Sequence, residues 1–195
     1  PDIYHLNEGH ASFLGLERLR NYMKDTGLSF EEALEIVRAT QLFTTHTPVP
    51  AGHDTFSEAL LRDYLYEYTY ALDISWHELM ALGRSEAENT QEVFNVSHLA
   101  IRTSQEANAV SRLHGDVSRR MFSELTPDYH HTENHIGYVT NSVHFPTWVA
   151  REWMDYYVQK FGKDFPAHQS DRKYWSKIQK VPAYDIMGIR RLLKK

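Results

Sequence analysis

Ile-Tyr-His-Leu-Asn-Glu-Gly-His-Ala-Ser-Phe, residues 3–13, places a strand, a polar turn and a helix start next to one another. Ile3 to Leu6 is short and apolar and ends in Asn7-Glu8-Gly9. From His10 onward, Leu16, Leu19 and Met23 recur at helical spacing until Gly27 stops the run. A strand that leads through a polar junction into a helix is the elementary unit of an α/β sheet.

The rest of the chain repeats this alternation. Ser29 and Glu32 form a capping box that opens a helix through Leu34 and Val37. Leu42 to Thr45 reads as a buried strand, ended by Thr47-Pro48-Val49-Pro50. Phe56, Leu60, Leu61, Tyr64, Leu65 and Tyr68 predict one face of another helix. Ser75 and Glu78 supply a second capping box, with Gly83 as its C-terminal cap. Asn95 to Thr103 is predicted helical. Ala109 to Leu113 and Gly137 to Asn141 are the remaining strands. Trp148, Trp153, Tyr156, Tyr157 and Phe161 predict an aromatic helix ending at Gly162.

The expected fold is therefore α/β, mostly helical with a few short parallel strands. Ligands of such sheets bind beyond the carboxyl ends of the strands. Polar residues cluster there: Asn7, Glu8 and His10; His46 and Thr47; His114; Asn141. One site built from four strand ends is the expectation.

Composition narrows the classes. Of 195 residues, 42% are hydrophobic and 24% charged, the balance of an ordinary globular domain, and residues 1–195 show no internal linker or repeat. No apolar run spans a bilayer and nothing at the start resembles a secretory signal. The first residue, Pro1, suggests a chain cut from something longer. Cysteine is absent, which excludes disulfides and thiolate metal sites and fits a reducing, cytoplasmic compartment. A net charge of -5 argues against nucleic acid as partner. Eight basic residues crowd the segment from Arg172 to Lys195, and at helical spacing they read as a solvated face.

Twelve histidines raise the question of a metal. A zinc-protease helix needs two histidines four apart on one face with a glutamate beside the first. Neither His5 and His10 nor His130, His131 and His135 has that pattern, and the latter three read as an exposed loop near the Pro127-Asp128 turn. No Gly-x-Ser-x-Gly and no phosphate loop is present. Glu8 and Asp116 are candidate glycosidase carboxylates, but nothing in the sequence pairs them. The aromatic stripe from Trp148 to Phe161 reads as core packing, with a sugar-stacking platform as its alternative. His114, Glu8, Asn7 and Asn141 each have an ordinary alternative too, as a strand-end histidine, a helix-dipole partner, and cap or turn residues.

At the four strand ends the chain resembles the α-glucan phosphorylases, in a bacterial or archaeal type of branch. Residues 3–13 are similar to the family's acceptor-site segment, where familiar members carry Asn-Asp-Thr-His. Leu42 to Pro48, Leu-Phe-Thr-Thr-His-Thr-Pro, resembles its Thr-Asn-His-Thr segment. Asn95 to Leu99 followed by Ala109 to His114 resembles its helix and Val-Asn-Gly-Val-Ala-x-Ile-His stretch. Val139 to Val143 resembles Thr-Asn-Gly-Ile, with Pro146 and Trp148 following. All four keep the family order. Glu8-Gly9 in place of Asp-Thr, and Ser142 to Pro146, depart from the animal enzymes, whose regulatory sites do not carry over.

The resemblance implies the later part of the N-terminal Rossmann-like half of a two-domain GT-B glycosyltransferase. It implies phosphorolysis of an α-1,4-glucan (glycogen, starch or maltodextrin) to glucose 1-phosphate. By the same resemblance His114 is the catalytic residue, bonding the donor's 6-hydroxyl and turning its backbone carbonyl to the anomeric centre. Asn141 holds that sugar, Glu8 and His10 line the acceptor side, and His46 and His98 are scaffold. Pyridoxal 5'-phosphate is implied as a cofactor bound outside this chain, by a lysine of the second half. The tail at Lys194-Lys195 then reads as a helix cut short, and the isolated chain as inactive. Further partners implied are phosphate and the rest of its own polypeptide, with room for a homo-oligomer. A non-catalytic carbohydrate-binding module and a His-based metal hydrolase remain as other readings.

Overall fold

The computed structural model describes residues 2–194, and Lys195 of the basic tail lies outside them. Two compact units divide the chain, one over residues 1–141 and one over residues 142–195.

The first unit is built on four parallel strands: β1 (Tyr4–Asn7), β2 (Gln41–Thr45), β5 (Glu106–Ala109) and β6 (Ile136–Tyr138), in the order β1-β2-β5-β6. Between them lie α1 (Phe13–Thr26), α2 (Phe30–Ala39), α3 (Glu58–Leu72), α4 (Trp76–Ala81), α5 (Val96–Arg102) and α6 (Arg112–Met121). Two short antiparallel strands, β3 (Thr55–Phe56) and β4 (Phe94–Asn95), form a separate ribbon.

Register explains the sheet's burial. Leu6, Phe43, Ala107 and Ile136 stand in one row across all four strands. They pack with Ala100 of α5 and with Phe122 into one core cluster. The next row, Asn7, Thr44, Asn108 and Gly137, faces the other way because side chains alternate along a strand. This face is polar: the His5 Nε2 lies 2.7 Å from Thr44 Oγ1, which donates to Asn108 Oδ1 at 3.0 Å. A second core joins Leu16 and Leu19 of α1, Ala33 and Val37 of α2, Leu61 and Leu72 of α3, Leu79 and Met80 of α4, and Leu99 of α5.

Local signals set the helix ends. Both capping boxes are present: Ser29 and Ser75 accept from the amides of Glu32 and Glu78, whose side chains bond back. Gly27 takes the left-handed conformation (φ 73°) that closes α1.

Four expectations need correction. Ala109 to Leu113 is not a strand: β5 ends at Ala109, and Ser111 caps α6 by accepting from the His114 amide at 3.2 Å. The apolar pair Ala109-Val110 belongs to the end of the strand and the residue after it, and the serine cap that follows starts a helix. Of Gly137 to Asn141 only Gly137 and Tyr138 are strand. Phe56 lies in β3, ahead of the Ser57 cap of α3. Gly83 is no left-handed cap. A Cβ on it would stand 2.4 Å from the Phe94 ring, so close packing demands the glycine.

The second unit carries α7 (Phe145–Trp148), α8 (Arg151–Phe161), α9 (Arg172–Trp175) and α10 (Ala183–Leu193). The aromatic stripe is interrupted: Trp148 ends α7 and is 79% exposed, whereas Trp153, Tyr157 and Phe161 follow on α8. Ala150 is extended (ψ 144°) and separates the two helices. Tyr157 stacks on Trp153 and Phe161 and meets Phe165 and Trp175 edge-on or tilted, so this group is a core. The Tyr156 hydroxyl donates to Asp185 Oδ2 at 2.8 Å and ties α10 to α8. The described basic residues from Arg172 to Lys194 are exposed, as a solvated face requires.

Candidate functional site

The carboxyl ends of the four parallel strands lie side by side, and the chain turns there into polar segments. The Glu8 amide extends the β1–β2 ladder by donating to Thr44 O at 2.9 Å. The backbone then swings to φ 78°, ψ 162°, a region costly for any residue with a side chain. What holds it is the carboxylate. Oε1 accepts from the Gly9 amide at 3.0 Å, and Oε2 accepts from the His46 amide at 2.7 Å and from Thr47 Oγ1 at 3.1 Å. One side chain thus bridges the end of β1 to the end of β2.

His46 returns the contact, its Nε2 donating to Asn7 Oδ1 at 2.6 Å. The end of β5 joins through His114. Its Nδ1 accepts from the Val110 amide at 3.3 Å and its Nε2 donates to Thr47 O at 3.1 Å. In these two bonds Nδ1 serves as the acceptor and Nε2 as the donor. The end of β6 is drawn in by backbone alone: Val139 N donates to Ala109 O, and Asn141 N to Val110 O, both at 2.9 Å.

The four residues singled out from sequence therefore share one end of one sheet, in different states. Glu8 is half-buried, His10 is exposed on the short turn Gly9–Ala11, and Asn141 presents an exposed amide. His114 is 7% exposed. Two features of its surroundings bear on its expected role. It sits in the first turn of α6, so its carbonyl points along the helix and not out from a strand end. Both ring nitrogens are engaged within the protein, so a sugar hydroxyl reaches it only by displacing one of those bonds. Asn7, His46 and Thr47, polar residues of the same strand ends, join the constellation through hydrogen bonds within the protein. The Thr-Thr-His-Thr run beyond a predicted strand was the available signal.

The other candidate clusters do not converge on a site. Asp116 is bound to Arg119. His130 bonds Thr132 in an exposed segment, and His5 bonds Thr44 on the polar sheet face. Among the described residues no group of three histidines or carboxylates is placed to hold a metal ion. No helix among them is long and apolar enough to cross a membrane. The residues present also do not fit a Schiff-base cofactor at this sheet. The first unit has a single lysine, Lys24, exposed in the last turn of α1.

A parallel sheet with polar groups gathered beyond its carboxyl ends is the arrangement in which α/β folds bind their ligands. The chain belongs to the carbohydrate phosphorylase family, whose pattern it matches over residues 2–177. It is 39% identical over 202 residues to a glycogen phosphorylase of Mycobacterium tuberculosis, covering all of this chain and 22% of that protein. It is 38% identical over 189 residues to a maltodextrin phosphorylase of Thermococcus litoralis, covering 95% of this chain and 21% of that protein. A glycogen phosphorylase of Aquifex aeolicus is 32% identical over 185 residues, 94% of this chain and 26% of that protein. The chain thus spans about a fifth to a quarter of the length of these relatives.

Proposed function

We propose that this chain forms the sugar-facing part of an α-1,4-glucan phosphorylase that releases glucose 1-phosphate from glycogen, starch or maltodextrin. The observation that carries the reading is the Glu8 bridge. A carboxylate that joins two strand ends, with the exposed His10 just after it in the chain and the exposed Asn141 beyond β6 at the same end of the sheet, supplies fixed hydrogen-bonding groups. Neutral sugars need such a set, because each hydroxyl leaving water must find a partner.

In this reading His10 and the Glu8 turn line the acceptor side, and Asn141 holds the donor sugar. His114 supports the site through Thr47 and meets the sugar when it exchanges one of its internal bonds. Pyridoxal 5'-phosphate supplies acid–base chemistry through its phosphate and is held by a lysine outside residues 1–195. Inorganic phosphate and the remaining polypeptide are partners, in a cytoplasmic protein. The names of the relatives support the glucan and phosphate as partners.

The test is phosphorolysis of maltodextrin by the full-length polypeptide that carries this sequence. Replacing Asn141 by Ala removes one or two sugar hydrogen bonds and is expected to lower kcat/KM by roughly 10- to 100-fold. The purified 195-residue chain alone is expected to release no glucose 1-phosphate. Phosphate-dependent release from that chain, or an Asn141→Ala variant with full activity, refutes the assignment.

A further inference from the structure

Beneath the Glu8 turn lies a buried imidazole for which the site so far described has no use. His53 is 7% exposed, and its Nδ1 lies 2.8 Å from Ser97 Oγ. Its Nε2 is buried without a protein partner, beside a cavity of about 140 Å³ also lined by Asn95, His98 and Glu124. Burial lowers the pKa of His53, while Glu8 acts to raise it and His114 to lower it further, so both site residues lie within electrostatic range.

Two arms run from His53 to Glu8. Along the first, Ser97 opens the first turn of α5 and is 1% exposed. A Cβ on Gly9 would stand 2.7 Å from Ser97 Oγ and 3.0 Å from Val96 Cγ2. The backbone after Glu8 is therefore pressed against a hydroxyl whose rotamer the His53 bond sets. Along the second, the turn Pro50–Gly52 closes on His53, whose amide donates to Pro50 O at 3.2 Å. A Cβ on Gly52 would stand 2.7 Å from Thr47 Cγ2, so this turn seats Thr47. Thr47 is the residue whose hydroxyl donates to Glu8 and whose carbonyl receives His114. A costly backbone conformation persists only where its surroundings over-determine it, and His53 lies where both constraints meet.

We propose that His53 is a positioning residue for the sugar site: its ring, through Ser97, clamps Gly9 next to Glu8, while the backbone of its turn seats Thr47. The consequence for sugar binding rests on the function proposed above, whereas the clamp itself does not.

The test uses the full-length polypeptide with His53→Ala, His53→Asn and Ser97→Ala, and the His53→Ala, Ser97→Ala pair. An asparagine amide can occupy the place of Nδ1 and keep the Ser97 bond. Hydrogen exchange of residues 7–12 and the KM and kcat for maltodextrin are measured. His53→Ala and Ser97→Ala each raise exchange in residues 7–12 roughly tenfold, the equivalent of one lost hydrogen bond, with α2 unchanged. KM rises by a similar factor while kcat stays within about threefold. The double variant is no worse than either single one, and His53→Asn restores both readouts. Unchanged exchange in residues 7–12, or additive effects in the double variant, overturns the proposal. If His53→Ala does not fold, Ser97→Ala and His53→Asn still decide it. An unsubstituted polypeptide without phosphorolysis sinks the phosphorylase reading instead, and the exchange measurement continues to judge the clamp.

Discussion

Replacing Glu8 separates the cost of its backbone from the gain of its carboxylate. At φ 78°, ψ 162° a residue with a Cβ carries strain of about 1–3 kcal/mol. The carboxylate accepts from Gly9 N, His46 N and Thr47 Oγ1. Bonds to a charged acceptor contribute about 1.5–3 kcal/mol when buried, but Glu8 is half-buried, and water recovers part of each. A net loss of about 1 kcal/mol per bond puts Glu8→Ala roughly 3 kcal/mol below the native chain. Glu8→Gly loses the same bonds but sheds the strain. Against that gain stands about 0.4–1 kcal/mol of extra unfolded-state entropy for glycine. The glycine variant should therefore be the more stable of the two by about 1–2 kcal/mol. Urea denaturation followed by tryptophan fluorescence measures this as a difference in midpoint at common slope. An alanine variant as stable as the glycine one, or more so, refutes the view that the carboxylate network holds a strained turn.

Two further outcomes follow from other parts of the first unit. Burial, with Arg102 next in effect, lowers His98 from 6.5 to about 4, so its 3.4 Å contact with Glu124 is not an ion pair at neutral pH. The unfolded chain then binds the extra proton. This contribution is fully present above pH 6.5 and is lost as pH falls toward 4, amounting to about 3 kcal/mol at 1.36 kcal/mol per pKa unit. Urea midpoints should fall over that window less steeply in His98→Asn than in the native chain, and parallel curves would sink the assignment. Gly83→Ala drives a methyl into the Phe94 ring at 2.4 Å. Overpacking of this kind costs about 1–3 kcal/mol, so a thermal melt showing no loss would contradict the packing of β4 on this turn.

Much of this fold was legible in residues a few positions apart. Ser29 with Glu32, Ser75 with Glu78, and Gly27 after Met23 announce helix ends through bonds spanning three or four residues. The apolar runs around Leu6 and Phe43 located β1 and β2, and the polar residues after them marked the strand ends as the candidate site. The family resemblance rests on the same local runs in the same order.

What the sequence left open depends on partners far away along the chain. Gly83 looks like a cap until Phe94 arrives against it. Glu8 meets His46 across 38 residues, and His114 meets Thr47 across 67. Period and capping determine where helices and strands begin, because those bonds close within one turn. Which carboxylate is caged, which imidazole has its nitrogens engaged, and which glycine is pressed against a side chain are decided by register and packing. No local pattern of residues encodes those contacts.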